Sequence, residues 1–411
     1  MTFPVVVAGG GLAGAAAACL LARAGRPVVV VERQAQAVDK VCGEFISAEA
    51  QEYLGRIGID LPRLGGHLIS ALRLVHGTAS VACRLPFAGV GLSRRVLDEA
   101  LLHRAAELGA EIRRGEVASL TQDRGPVVLD VGGRELRTDA LFLATGKHDM
   151  RGFRRVAAPS DLVGFKLHLR LAPAQRDALA GHVEILLLRD GYAGLQLIEG
   201  GLANLCLLVE RSRLQSAGGS WAGLLEDLNR TEPPLRARLA GAVPQIAPLS
   251  IFRVPYGFVH APSAEDPPGI FRLGDQMGVI PSFTGDGMSI ALHSAAVAAS
   301  CYLSGADAAI YHRLIRNDIA GLIARAGALY RIGSSAPGRA MLMRAAAIWP
   351  GGLGLAARMT RVPRRAVARE AMAFGRASWL SIISVTNACC AGTLKALTTP
   401  RHPARAAICQ A

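Results

Sequence analysis

Residues 4–32 read PVVVAGGGLAGAAAACLLARAGRPVVVVE, and this stretch decides the fold. Pro4–Ala8 is a short apolar run of the length expected for a strand buried on both faces. Gly9-x-Gly11-x-x-Gly14 follows, then an Ala-rich helical stretch to Arg23, a break at Ala24-Gly25-Arg26-Pro27, and a second apolar run, Val28–Val31. Strand, glycine turn, helix and strand within about 30 residues make a βαβ unit. Gly9 permits the tight turn, Gly11 lets a diphosphate approach the backbone, and Gly14 lets the helix pack on the sheet. Phosphates would then sit against free N–H groups at the positive end of the helix. Glu32 closes the second strand 18 residues after Gly14, where a carboxylate accepts hydrogen bonds from a ribose. The alternative is a glycine turn that serves packing alone.

Working outward, helical periodicity returns at 94–108, followed by strand-like pieces at 110–118 and 126–131. Residues 140–144 (ALFLA) form another buried-type strand, ending in Thr145-Gly146. The stretch 161–210 alternates apolar and polar residues, as an antiparallel sheet with one covered face does. A strand at 270–273 leads into Gly274-Asp275, a long Ala-rich helix follows at 288–303, and beyond 311 the pattern is helical with Gly and Pro breaks. The segment 270–290 (IFRLGDQMGVIPSFTGDGMSI) separates FAD from NAD. Asp275 stands at a strand end, where it can bind the hydroxyls of an extended ribityl chain. N–H groups near Gly285, Asp286 and Gly287 open a helix and can face a flavin pyrimidine, where negative charge accumulates on reduction.

These pieces resemble the FAD-dependent superfamily that includes p-hydroxybenzoate hydroxylase and geranylgeranyl reductase. The resemblance rests on Gly9–Gly14, Glu32-Arg33, Cys42-Gly43-Glu44, Ser93-Arg94 before a helix, and Gly274-Asp275 through Gly287, an ordered set within residues 4–303. It implies an α/β fold: a Rossmann-like FAD-binding domain interleaved with an antiparallel-sheet substrate domain, plus a helical C-terminal region. The expected division is 1–70, 91–160 and 266–310 for the FAD-binding domain, 71–90 and 161–265 for the substrate domain, and 311–411 for a basic helical region. The resemblance also brings Arg33 and Arg94 toward the FAD phosphates or ribityl chain, although each Arg can equally be a solvated surface charge. Two departures stand out. The hydroxylases' usual Asp-Gly segment is replaced by Ala144-Thr145-Gly146-Lys147-His148-Asp149, which leaves Gly146 as its cofactor-side glycine and puts the source of reducing equivalents in doubt. Gly191-Tyr192-Ala193-Gly194-Leu195 lacks the Trp-x-Phe-Pro that follows in geranylgeranyl reductases. Flavin halogenases usually carry a Trp-x-Trp-x-Ile-Pro motif, which is missing here.

Four side chains are candidates for catalysis. Cys42, in KVCGEF, lies where the superfamily brings the chain toward the flavin. A Cys at a similar place in geranylgeranyl reductases is thought to be a proton donor; the bland alternative is a small buried apolar group. Glu44 lines the same pocket or binds a backbone N–H. His168 alternates with apolar neighbours in GFKLHL, so it shares a sheet face with Lys166 and Arg170. It orients or deprotonates a phenolic substrate if that face lines the cavity, and is solvated if it does not. Tyr192 supplies a hydroxyl to the cavity or packs. His293, inside the Ala-rich helix, reads as structural.

Apolar residues make up 51% of the 411-residue chain and charged residues 19%, which excludes a disordered chain. The eight cysteines are scattered with no CxxC pair and no His cluster, so neither a metal site nor a disulfide framework is expected. With a strand expected from residue 4, no secretory signal peptide is expected, and a cytoplasmic setting fits. The formal net charge is +14, and residues 311–411 account for +13 of it, with 15 Lys or Arg against Asp318 and Glu370. This basic region is either a solvated helical face or a surface held against anionic lipid headgroups on the inner face of the membrane. Nucleic-acid binding is not expected, because no aromatic side chains interleave with the arginines. The apolar stretches 377–397 and 340–359 are both interrupted, which argues against a spanning helix and allows a surface-lying amphipathic one.

The expected activity is an NAD(P)H-dependent FAD monooxygenase acting on a hydrophobic aromatic or polyketide-like molecule. One alternative is a geranylgeranyl-reductase-like enzyme that reduces isoprenoid double bonds. The other is a non-catalytic flavin-binding protein that docks on a membrane.

Overall fold

The computed structural model describes residues 2–123, 125–157 and 160–370. The apolar run 377–397, and with it much of the basic tail, lies outside the described residues. In the opening unit β1 (Thr2–Ala8), α1 (Leu12–Arg23) and β2 (Val28–Glu32) follow each other as their patterning dictates, with β1 and β2 parallel and in register Val5 to Val28. The next elements are β3 (Phe45–Ile46), α2 (Ala48–Ile57), β4 (His67–His76), β5 (Ala79–Gly91) and α3 (Arg94–Glu107). Then come β6 (Glu111–Arg114), β7 (Ala118–Gln122), β8 (Val127–Val131) and β9 (Arg134–Leu143). The middle of the chain forms β10 (Leu162–Arg170), α4 (Pro173–Leu179), β11 (His182–Leu188), β12 (Gly191–Leu197) and β13 (Ala203–Glu210). After these lie α5 (Arg211–Ser216), α6 (Trp221–Thr231), α7 (Pro233–Leu239), β14 (Val243–Pro244) and β15 (Leu249–Phe252). The chain then runs through β16 (Ile270–Arg272), α8 (Gly287–Leu303), α9 (Ala308–Ser334), α10 (Ala336–Ile348) and α11 (Gly351–Met359).

Two sheets result. In the first, β6, β2, β1, β9 and β16 are parallel, and β9 also carries the antiparallel pair β8 and β7. All five residues of β2 are buried, as expected when helices cover one face and the β7–β8 layer the other. The covering helices are α1 and α8, whose alanines let the two axes approach closely over Phe142 and Leu273.

The second sheet runs β14-β10-β13-β12-β11-β4-β5-β3, with β15 also on β10. It is antiparallel except where β11 meets β4. The alternation in 161–210 has a direct structural meaning. Phe165, Leu167 and Leu169 point into a core closed by α4, α6 and α7, whereas Gly164, Lys166 and His168 point to the opposite face, toward the first domain. This sheet takes in Phe45–Ile46 and begins β4 at His67, ahead of the 70/71 division expected from sequence.

Candidate active site

The glycine turn is built as its spacing requires. Gly9 has φ +104°, and a Cβ there would lie 2.5 Å from the carbonyl oxygen of Ala144. Gly11 is the N-cap of α1 and offers no side chain, so the first N–H groups of the helix face open space. Two cations stand before them: Arg94 Nη2 and Lys40 Nζ each lie 3.5 Å from the position a Gly11 Cβ would take. Both are fixed by buried Asp98, which Arg94 grips at 2.8 and 3.0 Å and Lys40 at 2.7 Å. Burial alone would raise the Asp98 carboxyl, but Arg94 and Lys40 outweigh it and hold it below the usual carboxylate range. Two cations, one carboxylate and a helix N-terminus leave net positive potential where a diphosphate would lie. Glu32 is oriented at the cavity edge, accepting from Gly10 N–H at 2.7 Å and Gln34 N–H at 2.9 Å. Arg33 is exposed at the rim rather than turned into the cradle.

Across the cavity, Gly274 (φ +56°) donates its N–H to Ser294 Oγ at 2.8 Å. Asp275 meets Lys147 Nζ at 3.1 Å, and this carboxylate holds the ammonium above its ordinary pKa. Arg155 clamps the carbonyls of Asp275 (2.9 Å) and Lys147 (2.6 Å), and Gln276 donates to the carbonyls of Gly146 (2.9 Å) and His148 (2.8 Å). The unusual 144–149 segment is thus sewn to the 274–276 turn, and Lys147 takes part in place of the expected Asp-Gly geometry. Gly285 (φ +69°) packs against Phe45, and Gly287 opens α8 at the cavity wall.

At Asp286 only the backbone belongs to this turn; its side chain points to the C-terminal segment. The buried carboxylate accepts from Val362 N–H at 3.0 Å and Arg361 at 3.2 Å, which fastens the C-terminal segment to the start of α8. Burial lifts this carboxyl from 3.8 to about 6, against the pull of Arg361. Because the folded-state pKa is raised, the protonated form favours folding, and stability falls as pH rises between these two values. Asp286→Asn removes that dependence. The wild-type-minus-variant stability difference, read from urea unfolding, is expected to fall by on the order of 2 kcal/mol from about pH 4 to about pH 7. A pH-independent difference would refute the assignment.

Loop 39–44 divides the cavity from the second sheet. Asn204 donates to the carbonyls of Cys42 (3.1 Å) and Gly43 (2.9 Å), and Gln196 donates to that of Glu44 (2.6 Å). Glu44 adopts φ +58°, which is uncommon for a residue with a Cβ. Its fully buried carboxylate accepts from Arg94 N–H at 2.7 Å, meets His168 Nε2 at 2.8 Å, and pairs with Lys166 Nζ. Asp39 adds a second carboxylate 3.6 Å from Lys166 and 3.7 Å from His168. His168 therefore neither reaches substrate nor faces water. With Lys166 it lies behind the loop and holds it in place, and Arg170 alone of that trio is exposed. His293 is buried between Tyr53 Oη (2.7 Å) and Asp318 (2.9 Å).

Cys42 does line the cavity, its sulfur accepting from Glu44 N–H at 3.4 Å. The sulfur also lies near Arg94 and Lys147. Tyr192 lines the cavity edge-on to Phe283, with ring centroids 5.9 Å apart. Tyr256, which sequence reasoning missed, contacts Ser282 Oγ at 2.5 Å nearby. Burial pushes the Tyr256 hydroxyl up to about 12 and that of Tyr192 well above its ordinary value, so both are hydrogen-bond donors at neutral pH. Lys40, Asp98, Lys147 and Arg155 were likewise missed; single charges carry no local signal until the fold brings them together.

One cavity of about 690 Å³ joins these parts. Beyond Tyr192 it becomes an apolar chamber walled by Leu72 and Ile185 from the sheet and by Leu342, Leu353 and Ala356 from the C-terminal helices. The described part of the basic region therefore caps the cavity with one face, while most of its arginines are exposed.

Comparison with known proteins agrees with this geometry. Residues 2–144 match a family model described as an FAD binding domain. The chain is 35% identical over 142 residues to a 12-dehydrotetracycline 5-monooxygenase/anhydrotetracycline 6-monooxygenase of Streptomyces rimosus, covering 33% of this chain and 28% of the relative. It is 37% identical over 119 residues to digeranylgeranylglycerophospholipid reductase 2 of Methanopyrus kandleri, covering 27% of this chain and 28% of the relative. Either match thus spans little more than a quarter of the relative's length. Among solved structures, the flavin-dependent brominase Bmp2 superposes with a TM-score of 0.73 at 15% identity, covering 92% of this chain and 99% of the brominase, a likeness of fold. The glycine cradle, the second element at Gly274–Gly287 and these matches define a flavin-binding oxidoreductase fold. Together they support a place among the FAD-dependent oxidoreductases, with an FAD binding domain over residues 2–144.

Proposed function

We propose that this protein is an FAD-dependent monooxygenase that uses NAD(P)H to hydroxylate an elongated hydrophobic molecule of aromatic or polyketide-like character. The observation that carries the reading is the continuous cavity leading from the charged cradle past two phenols, Tyr192 and Tyr256, into an apolar chamber. The residues present fit FAD: Gly11, Lys40 and Arg94 for the diphosphate, Glu32 for a ribose, and Asp275 with the Gly285–Gly287 turn toward the ribityl chain and ring. Reduced FAD supplies the electrons for oxygen activation. The chain supplies the rest. Tyr192 and Tyr256 donate hydrogen bonds that hold a polar head near the cofactor, and the leucine walls bind the apolar remainder and exclude water. The monooxygenase similarity lies in the FAD-binding part, so the substrate class rests on the chamber itself.

The placement of Cys42 on the cavity wall favours a second reading, reduction of an isoprenoid double bond with Cys42 as proton donor. One measurement separates the two. The holoenzyme is incubated with NAD(P)H and long-chain phenols or isoprenoid lipids under ¹⁸O₂, and products are weighed. A product heavier by one labelled oxygen is the expected result. A product heavier by two hydrogens, without label and lost in Cys42→Ala, would replace hydroxylation with reduction. A chain that binds FAD but oxidises no NAD(P)H with either class would favour a non-catalytic docking protein.

A further inference from the structure

The outer faces of α10 and α11 are unusual for a protein surface. Five of the twelve most exposed large apolar side chains among the described residues lie between Met341 and Met359: Met341, Ile348, Trp349, Leu355 and Met359. Ile348 is 86% and Trp349 60% exposed, at the tip where the two helices meet. Between Ala336 and Met359 there is no acidic residue, and the exposed charges are Arg344 and Arg358; Arg331, Arg364 and Arg365 are exposed on the flanks. Scattered apolar side chains on a surface need no explanation, but a contiguous set around one bend, rimmed by a single sign of charge, does.

We propose that the α10–α11 hairpin is a membrane-docking element that seats in the interface of an anionic phospholipid bilayer. The geometry fits lying in the interface rather than crossing it. The helices have 13 and 9 residues and are bent by 118° at their junction. At 1.5 Å per residue they reach about 20 and 14 Å, against about 30 Å for a hydrocarbon core. Trp349 at the tip combines a large apolar ring with an N–H donor, the side chain favoured at the boundary of headgroup and acyl chain. The arginines can extend their stems along the apolar surface and place their guanidinium groups among phosphates. The absence of acids from the segment selects an anionic surface over a neutral one.

The hairpin is also one helix thick. Leu342, Leu353 and Ala356 line the cavity from the same helices whose other faces carry Met341, Leu355 and Met359. Docking therefore sets the apolar chamber against the bilayer. The inference concerns a surface away from the cofactor and does not depend on which reaction the site performs.

The test uses the full-length holoenzyme and vesicles of phosphatidylcholine alone or mixed with phosphatidylglycerol. Wild type is expected to sediment with the mixed vesicles and to stay largely in solution with phosphatidylcholine alone. Ile348→Glu/Trp349→Glu, on exposed positions, is expected to keep its FAD content and melting temperature while losing about tenfold or more in vesicle affinity. Arg344→Ala/Arg358→Ala is expected to weaken binding only to the anionic vesicles. Equal sedimentation of wild type and the Glu double variant would overturn the proposal and move any docking to other residues. A wild type that ignores both vesicles, yet changes from dimer to monomer in the double variant, would assign the face to a second copy of the chain and overturn it as well.

Discussion

Glu44→Ala is expected to destabilise the protein by about 3–5 kcal/mol, the range for removing one partner from a buried ion pair. Glu44 and Lys166 are both fully buried, so the ammonium cannot turn to water once its partner is gone. His168 loses its 2.8 Å partner in the same step, and Arg94 N–H at the start of α3 loses the acceptor at 2.7 Å. Asp39 lies 3.6 Å from Lys166 and only part-compensates. The variant also frees Glu44 from φ +58°, which relaxes loop 39–44 and shifts both Lys40 and Cys42. Weaker FAD binding should therefore accompany the lost stability. Glu44→Gln keeps the shape and one acceptor oxygen, and should fall between wild type and Glu44→Ala. Urea unfolding of the three proteins checks the order; a Glu44→Ala midpoint equal to wild type would show that the cluster does not hold the loop.

The second large effect contrasts two glycines three residues apart. A Cβ on Gly14 would stand 1.9 Å from the carbonyl oxygen of Gly9 and 2.9 Å from Val7 Cγ1. Backbone on one side and a fully buried β1 on the other leave nothing to yield, so Gly14→Ala should fail to give a folded flavoprotein. A Cβ on Gly11 meets side-chain ends alone, Arg94 Nη2 and Lys40 Nζ at 3.5 Å and Asp98 Oδ2 at 3.9 Å, all ordinary contacts. Gly11→Ala should therefore fold with an unchanged apoprotein melting temperature. Its methyl group stands where the diphosphate must approach, so FAD affinity should drop by tenfold or more, at least about 1.4 kcal/mol. Flavin titration followed by fluorescence reads the difference. Normal FAD binding by Gly11→Ala would place the diphosphate elsewhere and break the functional reading at its base.

The two glycines mark how far the sequence by itself reaches. The βαβ unit, the turn geometry at Gly9, Gly11 and Gly14, the place of Glu32, and the turns at Gly274 and Gly285 follow from spacing within short segments. Local sterics and helix-end electrostatics act over a few residues and leave a mark there. The alternation in 161–210 likewise determined that Lys166 and His168 share a face opposite Phe165 and Leu167. It carried no information on what covers that face. Only the tertiary structure brings loop 39–44 across it, turning two side chains expected to face solvent or substrate into a buried anchor for Glu44. The same holds for Asp286, whose partners lie some 75 residues away at Arg361 and Val362. It holds too for Lys40, which comes from loop 39–44 to join the one-turn pair Arg94–Asp98 of α3 before the start of α1. Whether 311–370 floats free or closes the cavity was also decided in three dimensions, by packing of α10 and α11 on β4 and β5. Burial and ion pairing depend on distant chain segments converging, and no local pattern encodes which segments those are.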